Sequence, residues 1–395
     1  MNFQVSVIKV IGEKILRVLF VAHEDDVLGA TKALSEIMMG LKEDYGIEPF
    51  LITPQKNKLT EYCKQNNIPN YSVKYFQWGH LKTESILKTI LKYLRMRIFN
   101  GIAIIKLIKY CKLNKIDLIH TNVSVIDIGF EVAKRIGVPH VWHLRESGIE
   151  TQWVNYSGNF YKKFNDDNNH NIVISNFVQK LWENRGVDKK KLSVIYDGVS
   201  DTGFSYELPS ISSVKAVLVG SLLPHKGQLD AINAISNLIN QGVVASLDII
   251  GSGFPEYTQK LKNRVSELKL NNDIHFIAYN NNIPKLLHNY NVGIVASKAE
   301  AFGRVTIEYM LSGLPVVASN TGANSELLDV DNNGLLYEYG NSQSLSLAIT
   351  NLLNNKIDYI GYSKRGYKVA RSYFSIKKNV NKIYDLYIKL IDNKG

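Results

Sequence analysis

Short apolar runs alternate with longer helical patterns along the whole chain, and that alternation admits few folds. A buried apolar run, a helix and another apolar run together mark the βαβ unit of a parallel sheet. In the first half strands are expected at Leu16–Ala22, Pro49–Thr53, Ile116–His120, His140–His143 and Asn171–Ser175. In the second half they are expected at Ala216–Gly220, Ser246–Gly251, Ile274–Tyr279, Val292–Ser297 and Pro315–Ser319. Between the sets lies Val199–Val214, rich in Ser, Asp and Pro and without a clear period, which reads as an interdomain linker. A chain of 395 residues is long enough for two domains that each bury a core.

The halves also begin alike. Val18–Ala22 is followed by a loop, Gly29 and a helix from about Thr31; Val217–Gly220 is followed by a loop, Gly227 and a helix from about Leu229. Both are α/β patterns of the Rossmann-like kind, and two such domains with facing strand C-terminal ends would enclose a ligand cleft. A last helical pattern, Tyr373–Leu390, puts Val380, Ile383, Tyr384 and Tyr387 on one face and suits packing on either domain.

With 45% apolar and 21% charged residues the composition is that of an ordinary globular protein. Two cysteines, Cys63 and Cys111, are too few for a disulfide framework and suit a reducing cytosol. No apolar run reaches the length of a membrane span, and Lys9, Glu13, Lys14 and Arg17 interrupt any signal-peptide core, so a cytoplasmic protein is expected. The net charge of +11 is concentrated at 81–116, where nine Lys/Arg face Glu84 alone. There Leu87, Ile90, Leu91, Leu94 and Ile98 form one helical stripe, with Lys88, Lys92 and Arg95 on another side. Such a helix either covers a domain core or rests on an anionic membrane surface. No nucleic-acid partner is expected, because no aromatic residues are interleaved as stacking platforms.

The chemistry concentrates around Glu300 and Glu308, with Phe302-Gly303 between them. On one continuous helix residues eight apart lie about 80° from each other, so the pair shares a pocket more readily if Glu300 precedes the helix and Glu308 lies in its early turns. Val305, Met310 and Leu311 give that helix a core side, and the amides of Gly303, Arg304 and Val305 at its start suit a phosphate. The loop Gly220–Gly227 follows a strand and precedes a helix, and its Lys226 can lie over a diphosphate. His143, at a strand end, can donate to or accept from a sugar hydroxyl, or be structural; His120, with Asn122 two residues on, has the same two readings. His140 and His143 point to opposite faces of a strand, which disfavours a metal pair. Asp329-Val-Asp331 sits in a polar turn and reads as a turn. Asp26 lies near the proposed cleft.

These residues resemble a family. Glu300 and Glu308 with Phe302-Gly303 inside look like the Glu-x7-Glu motif of retaining, family 4 type glycosyltransferases (glycosyl transferases group 1) with the GT-B fold. Gly313–Ser319, Gly322, Glu326, Asn333–Leu336, the Lys226-Gly227 turn, Ser175 and Val194–Val199 are similar to the rest of that pattern. The resemblance implies a GT-B fold of two Rossmann-like domains, 1–200 for the acceptor and 201–372 for the nucleotide sugar, with 373–395 crossing back to the first domain. It implies Glu308 on the ribose, Glu300 on the donor sugar, Lys226 and the amides around Phe302-Gly303 on the diphosphate, Gly29 lining its other side, and His143 near the reacting centre. Family members often have arginine five residues before the lysine; here that position is Ser221, and Arg304 and Arg145 are the candidates to replace it.

The function implied is hexosyl or related transfer, with retention, from a UDP-sugar to a hydroxyl acceptor. The acceptor would be a lipid-linked or polysaccharide intermediate of cell-surface glycan synthesis. Transfer would need no metal and no cofactor beyond the donor, on a protein peripheral to the inner membrane face. The alternatives are a nucleotide-sugar epimerase or hydrolase of the same fold, or a non-catalytic partner of a glycosyltransferase.

Overall fold

A computed structural model describes residues 15–23, 29–81, 84–146, 153–156, 160–279 and 282–393. The chain divides into two compact units, 1–198 with 376–395, and 199–375. The first unit runs β1 (Arg17–Val21), α1 (Ala30–Tyr45), β2 (Glu48–Thr53), α2 (Lys58–Gln65), β3 (Asn70–Ser72), β4 (Gly79–Leu81) and α3 (Ile86–Leu113). It continues with β5 (Leu118–Thr121), α4 (Ile128–Ile136), β6 (His140–Leu144), β7 (Trp153–Asn155), β8 (Asn169–Val173), α5 (Asn176–Asn184) and β9 (Leu192–Val194). The second unit runs β10 (Val214–Val219), α6 (Gln228–Asn240), β11 (Ala245–Ile250), α7 (Pro255–Glu267), β12 (Ile274–Ile277), α8 (Ile283–Leu286) and β13 (Val292–Val295). After these come α9 (Arg304–Leu311), β14 (Val316–Ser319), α10 (Asn324–Asp329), β15 (Gly334–Tyr337), α11 (Ser342–Asn354) and α12 (Lys356–Tyr373). The chain then returns to the first unit as α13 (Ile376–Asp392).

Both main sheets are parallel and doubly wound. Their orders are β3-β2-β1-β5-β6-β8-β9 and β12-β11-β10-β13-β14-β15. In each, the winding reverses between the first strand and the fourth along the sheet, which is where such sheets bind ligands at the strand C-terminal ends. In the first unit that switch point lies between β1 and β5, and in the second between β10 and β13. Central strands such as β1 and β13 are buried along nearly their whole length, as strands covered on both faces must be.

The expected strands all form, within a few residues of their anticipated limits. The strands not anticipated include β3, β9 and β15, which are sheet edges. An edge needs no two-sided apolar run, so its pattern is short and mixed. The segment 199–213 is held against the second unit rather than standing free: the Asn291 carboxamide donates to the Ser210 and Ser213 carbonyls at 2.9 and 2.6 Å.

Val380, Ile383, Tyr384 and Tyr387 of α13 are buried in the core that α1 also lines. Two glycines permit this packing. A Cβ on Gly40 would stand 2.7 Å from Val380 Cγ2, and one on Gly198 would stand 2.4 Å from Ile376 Cα.

The long helix α3 corrects one expectation. Its domain-facing side is Met96, Asn100, Ala103, Leu107 and Cys111. The stripe from Leu87 to Ile98, which would face the core in one of the two readings of this helix, is exposed: Leu87 at 70%, Leu91 at 59%, Leu94 at 51% and Ile98 at 60%. From Leu87 to Met96 a helix turns about 900°, so the two faces are diametrically opposed. Asn100 selects the buried face, because its side chain pairs with both the amide and the carbonyl of Phe76 at 2.8 and 3.0 Å.

Candidate functional site

In the second unit, the loops that leave β10 and β13 meet at the switch point. The first ends in a short turn at Pro224–Lys226 and Gly227, whose φ is 69°. A Cβ there would lie 2.0 Å from the Ala296 carbonyl oxygen, so only glycine lets the β10 loop pass this close to the end of β13. The Lys298 amide donates to the His225 carbonyl at 2.7 Å and ties the loops together.

Lys226 and Glu300 consequently form an ion pair, Nζ to Oε1, at 2.6 Å. The Ser297 hydroxyl donates to the same oxygen at 2.5 Å. Both side chains keep some exposure, 27% for Lys226 and 18% for Glu300. Burial pushes the Glu300 carboxyl up, but the Lys226 charge, hydrogen bonds from Lys226 and Ser297 and the nearby His225 outweigh it, and its pKa lies below the usual carboxylate value. The loop after β14 braces Glu300 from behind. The Ala323 amide donates to the Glu300 carbonyl at 2.8 Å, and a Cβ on Gly322 would lie 2.5 Å from the Glu300 amide nitrogen.

Glu300 lies in the loop and Glu308 in the second turn of α9, which Gly303 opens at φ 98°. On α9 the core side is Thr306, Ile307, Tyr309, Met310 and Leu311, while Val305 is only half-buried. Phe302 is buried and packs edge-on against Phe374 at 5.7 Å. Beside Gly303 lie Thr306 Oγ1 and Asn324 Oδ1, both buried and without a hydrogen-bond partner among the described residues. Burial and the Glu308 carboxylate push the Tyr279 phenol up, with Arg304 opposing. Tyr279, Glu308 and Arg304 therefore share one electrostatic neighbourhood. Tyr279 lies just past β12, in a position that carries no recognisable motif.

Ser221 is exposed, and its carbonyl accepts from Gln228 Nε2 at 2.9 Å. Asp329 ends α10, and Val330, Asp331 and Asn332 form the turn before β15, with Asp331 at φ 57°.

In the first unit, Gly29 caps α1 at φ 49° and is exposed. Asn122 is buried and donates to the Ala30 carbonyl at 3.1 Å. Asp26 lies outside the described residues. His143 is fully buried, one residue before the end of β6, beside His120, one residue before the end of β5. Burial first, then the Arg145 charge, holds both imidazoles well below the ordinary histidine pKa, so both are neutral. His140 faces elsewhere and bonds Thr121 and Asn169.

As a replacement for the arginine missing at Ser221, Arg145 is set aside by its own contacts. It is 6% exposed, its Nη1 lies 2.5 Å from both Asp197 oxygens, and its Nε donates to Asn122 Oδ1 at 2.9 Å. Its charge is spent inside the first unit. Arg304, at the first position of α9, is half-buried and beside Glu308.

Similarity to known proteins identifies the family. The family described as Glycosyltransferase Family 4 matches residues 29–202, and the one described as Glycosyl transferases group 1 matches 212–369. An uncharacterised glycosyltransferase of Methanocaldococcus jannaschii is 25% identical over 70% of this chain and 76% of its own length. A UDP-Gal:alpha-D-GlcNAc-diphosphoundecaprenol alpha-1,3-galactosyltransferase of Escherichia coli is 26% identical over 74% of this chain and 80% of its own. Among solved structures, Anabaena HepE in complex with UDP has the same fold, with a TM-score of 0.78 and 19% identity over 95% of this chain and 100% of that one. The chain is a glycosyltransferase of the family 4, group 1 type, built from two Rossmann-like units in the GT-B fold.

Proposed function

We propose that the protein moves a hexosyl group from a UDP-sugar to a hydroxyl of a lipid-linked glycan intermediate, with retention at the anomeric carbon and without a metal. The observation that carries this reading is the convergence of Lys226, Glu300 and the start of α9 at one switch point. Lys226 and the amides at Gly303 and Arg304 would take the charge that grows on the departing diphosphate, the term that dominates catalysis of such a step. Glu308 would hold the ribose, Glu300 the donor sugar, and His143 a sugar hydroxyl near the reacting carbon. The bond from that carbon to the phosphate oxygen breaks, the bond to the acceptor oxygen forms on the same face, and the acceptor's proton goes to the leaving phosphate. UDP and UDP-glucose bind HepE, and the Escherichia coli relative is named for an undecaprenol-linked acceptor.

A membrane-borne acceptor also suits α3. Its outward ridge runs from Leu87 through Leu91, Leu94 and Ile98 to Ile105, about 27 Å long. Lys88, Arg95 and Lys106 flank it at about 80–100° on one side and Arg97 at about 80° on the other. That is the cross-section of a helix lying in a bilayer interface, apolar side down with cations at headgroup level. No helix among the described residues is long and apolar enough to cross a membrane. Of the cations first considered, Lys92 is paired with Glu84 and Arg95 lies over the Phe76 ring at 4.2 Å, so Lys88, Arg97 and Lys106 are the better probes.

One experiment covers both parts. The purified chain is given UDP-sugars and a polyprenyl-diphosphate-linked acceptor in anionic and in neutral vesicles, and the product's anomeric configuration is read by NMR. Retained configuration and faster turnover on anionic vesicles are expected. Neutralising Lys88, Arg97 and Lys106 to glutamine should weaken vesicle binding about 100-fold, at about 1 kcal/mol per charge. Inverted product, epimer formed from donor alone, or indifference to lipid charge contradicts the corresponding part.

A further inference from the structure

The two nitrogens of His143 have different surroundings. Nδ1 lies 3.2 Å from His120 Nε2 and 3.3 Å from Arg145 Nη2. Nε2 is buried and has no hydrogen-bond partner among the described residues; Asp197 Oδ1 lies 3.8 Å from it, beyond hydrogen-bond reach. A guanidinium nitrogen donates and never accepts. The nitrogen that faces Arg145 is therefore the bare one, and the proton of neutral His143 sits on Nε2.

That assignment propagates. If His143 Nδ1 accepts, His120 must donate to it from Nε2, and neutral His120 then has a bare Nδ1. His120 Nδ1 lies 2.5 Å from the Tyr387 hydroxyl, which must be the donor. Arg145 is itself fixed by Asp197 and Asn122. One residue of fixed polarity thus orders the protons of three others, and the far end of the series stands on α13, 267 residues from His120 in sequence.

We propose that Tyr387 and His120 are positioning residues that, with Arg145, lock His143 as an Nε2–H donor. His143 then gives a hydrogen bond to a sugar hydroxyl and does not take a proton as a general base. The functional part of this statement rests on the placement of His143 proposed above; the proton arrangement does not. Returning α13 to the first unit therefore does more than fill a core: it delivers the hydroxyl that ends the series.

The test is 15N–1H correlation spectroscopy of the full chain labelled at histidine, with His120 and His143 assigned by loss of their signals in His120→Gln and His143→Asn. In the wild type, His143 should show a protonated Nε2 and a bare Nδ1, unchanged between about pH 6 and 8. In Tyr387→Phe, His120 loses the donor at Nδ1. Its signals should move part of the way toward the average of the two tautomers, because only the bare His143 Nδ1 then favours the proton on Nε2, and kcat should fall about tenfold with little change in donor KM. A His143 protonated on Nδ1, or a Tyr387→Phe protein with wild-type histidine signals, overturns the proposal. If Tyr387→Phe fails to fold, the wild-type tautomer decides alone. Spectra read the proton arrangement whether or not sugar is transferred, so an inactive chain with the expected tautomers overturns the functional reading and leaves the relay intact.

Discussion

Replacing Lys226 with methionine should lower kcat with a UDP-sugar donor by about 100- to 1,000-fold, the usual cost of removing one group aimed at developing negative charge. Methionine keeps most of the volume and loses the ammonium, which sits 2.6 Å from Glu300. The substitution should also show in the acid limb of stability. In the wild type the Glu300 carboxyl titrates below its ordinary value of 4.5. A depressed pKa stabilises the fold at pH values above 4.5, and that stabilisation is lost as the pH falls through the folded value. Without Lys226 the remaining partners, Ser297 and His225, must offset burial alone, so the Glu300 pKa rises and this acid-side loss shrinks. Steady-state kinetics at neutral pH, with melting curves from about pH 3.5 to 7, check both effects. Unchanged kcat would remove Lys226 from the chemistry.

Gly227→Ala should destabilise the second unit by about 3 kcal/mol or more. The residue combines φ of 69° with a Cβ position 2.0 Å from the Ala296 carbonyl oxygen. The left-handed backbone alone costs an alanine about 1–2 kcal/mol, and the clash adds a similar amount because backbone, not a flexible side chain, must give way. Gly340→Ala separates the two terms. It has a comparable φ of 79° but open space around its Cβ position, and should lose only about 1–2 kcal/mol. Urea midpoints of the two variants should therefore differ clearly. Gly227→Ala should also displace Lys226 and depress activity, whereas Gly340→Ala should leave activity intact.

The parts of the fold legible in the sequence were those where burial acts on both faces. Strands such as Val292–Val295 are apolar throughout because helices cover them above and below. The edge strand Asn70–Ser72 has no such run and went unseen. In the second unit Lys226 and Glu300 were each legible from their own loops, yet their contact was not, because it depends on β10 and β13 flanking the switch point. Helix α3 shows the opposite failure. Periodicity located its apolar stripe but not which face the domain takes. Small and polar residues, Ala103, Asn100 and Cys111, made the closer packing, and Asn100 satisfied the Phe76 backbone. The Tyr387–His120–His143 series was beyond local pattern altogether, since its members come together only when α13 returns to the first unit.

The central claim is that the second unit's Lys226, Glu300 and α9 constellation is the donor site. It is tested most directly by isothermal titration of UDP into the full-length wild type, Glu308→Gln and Lys226→Met. The account predicts saturable one-site binding to the wild type, weakened about 10- to 100-fold in each variant, as expected from losing a hydrogen bond to a charged group. Folded variants that bind UDP as tightly as the wild type would place the nucleotide elsewhere and contradict it.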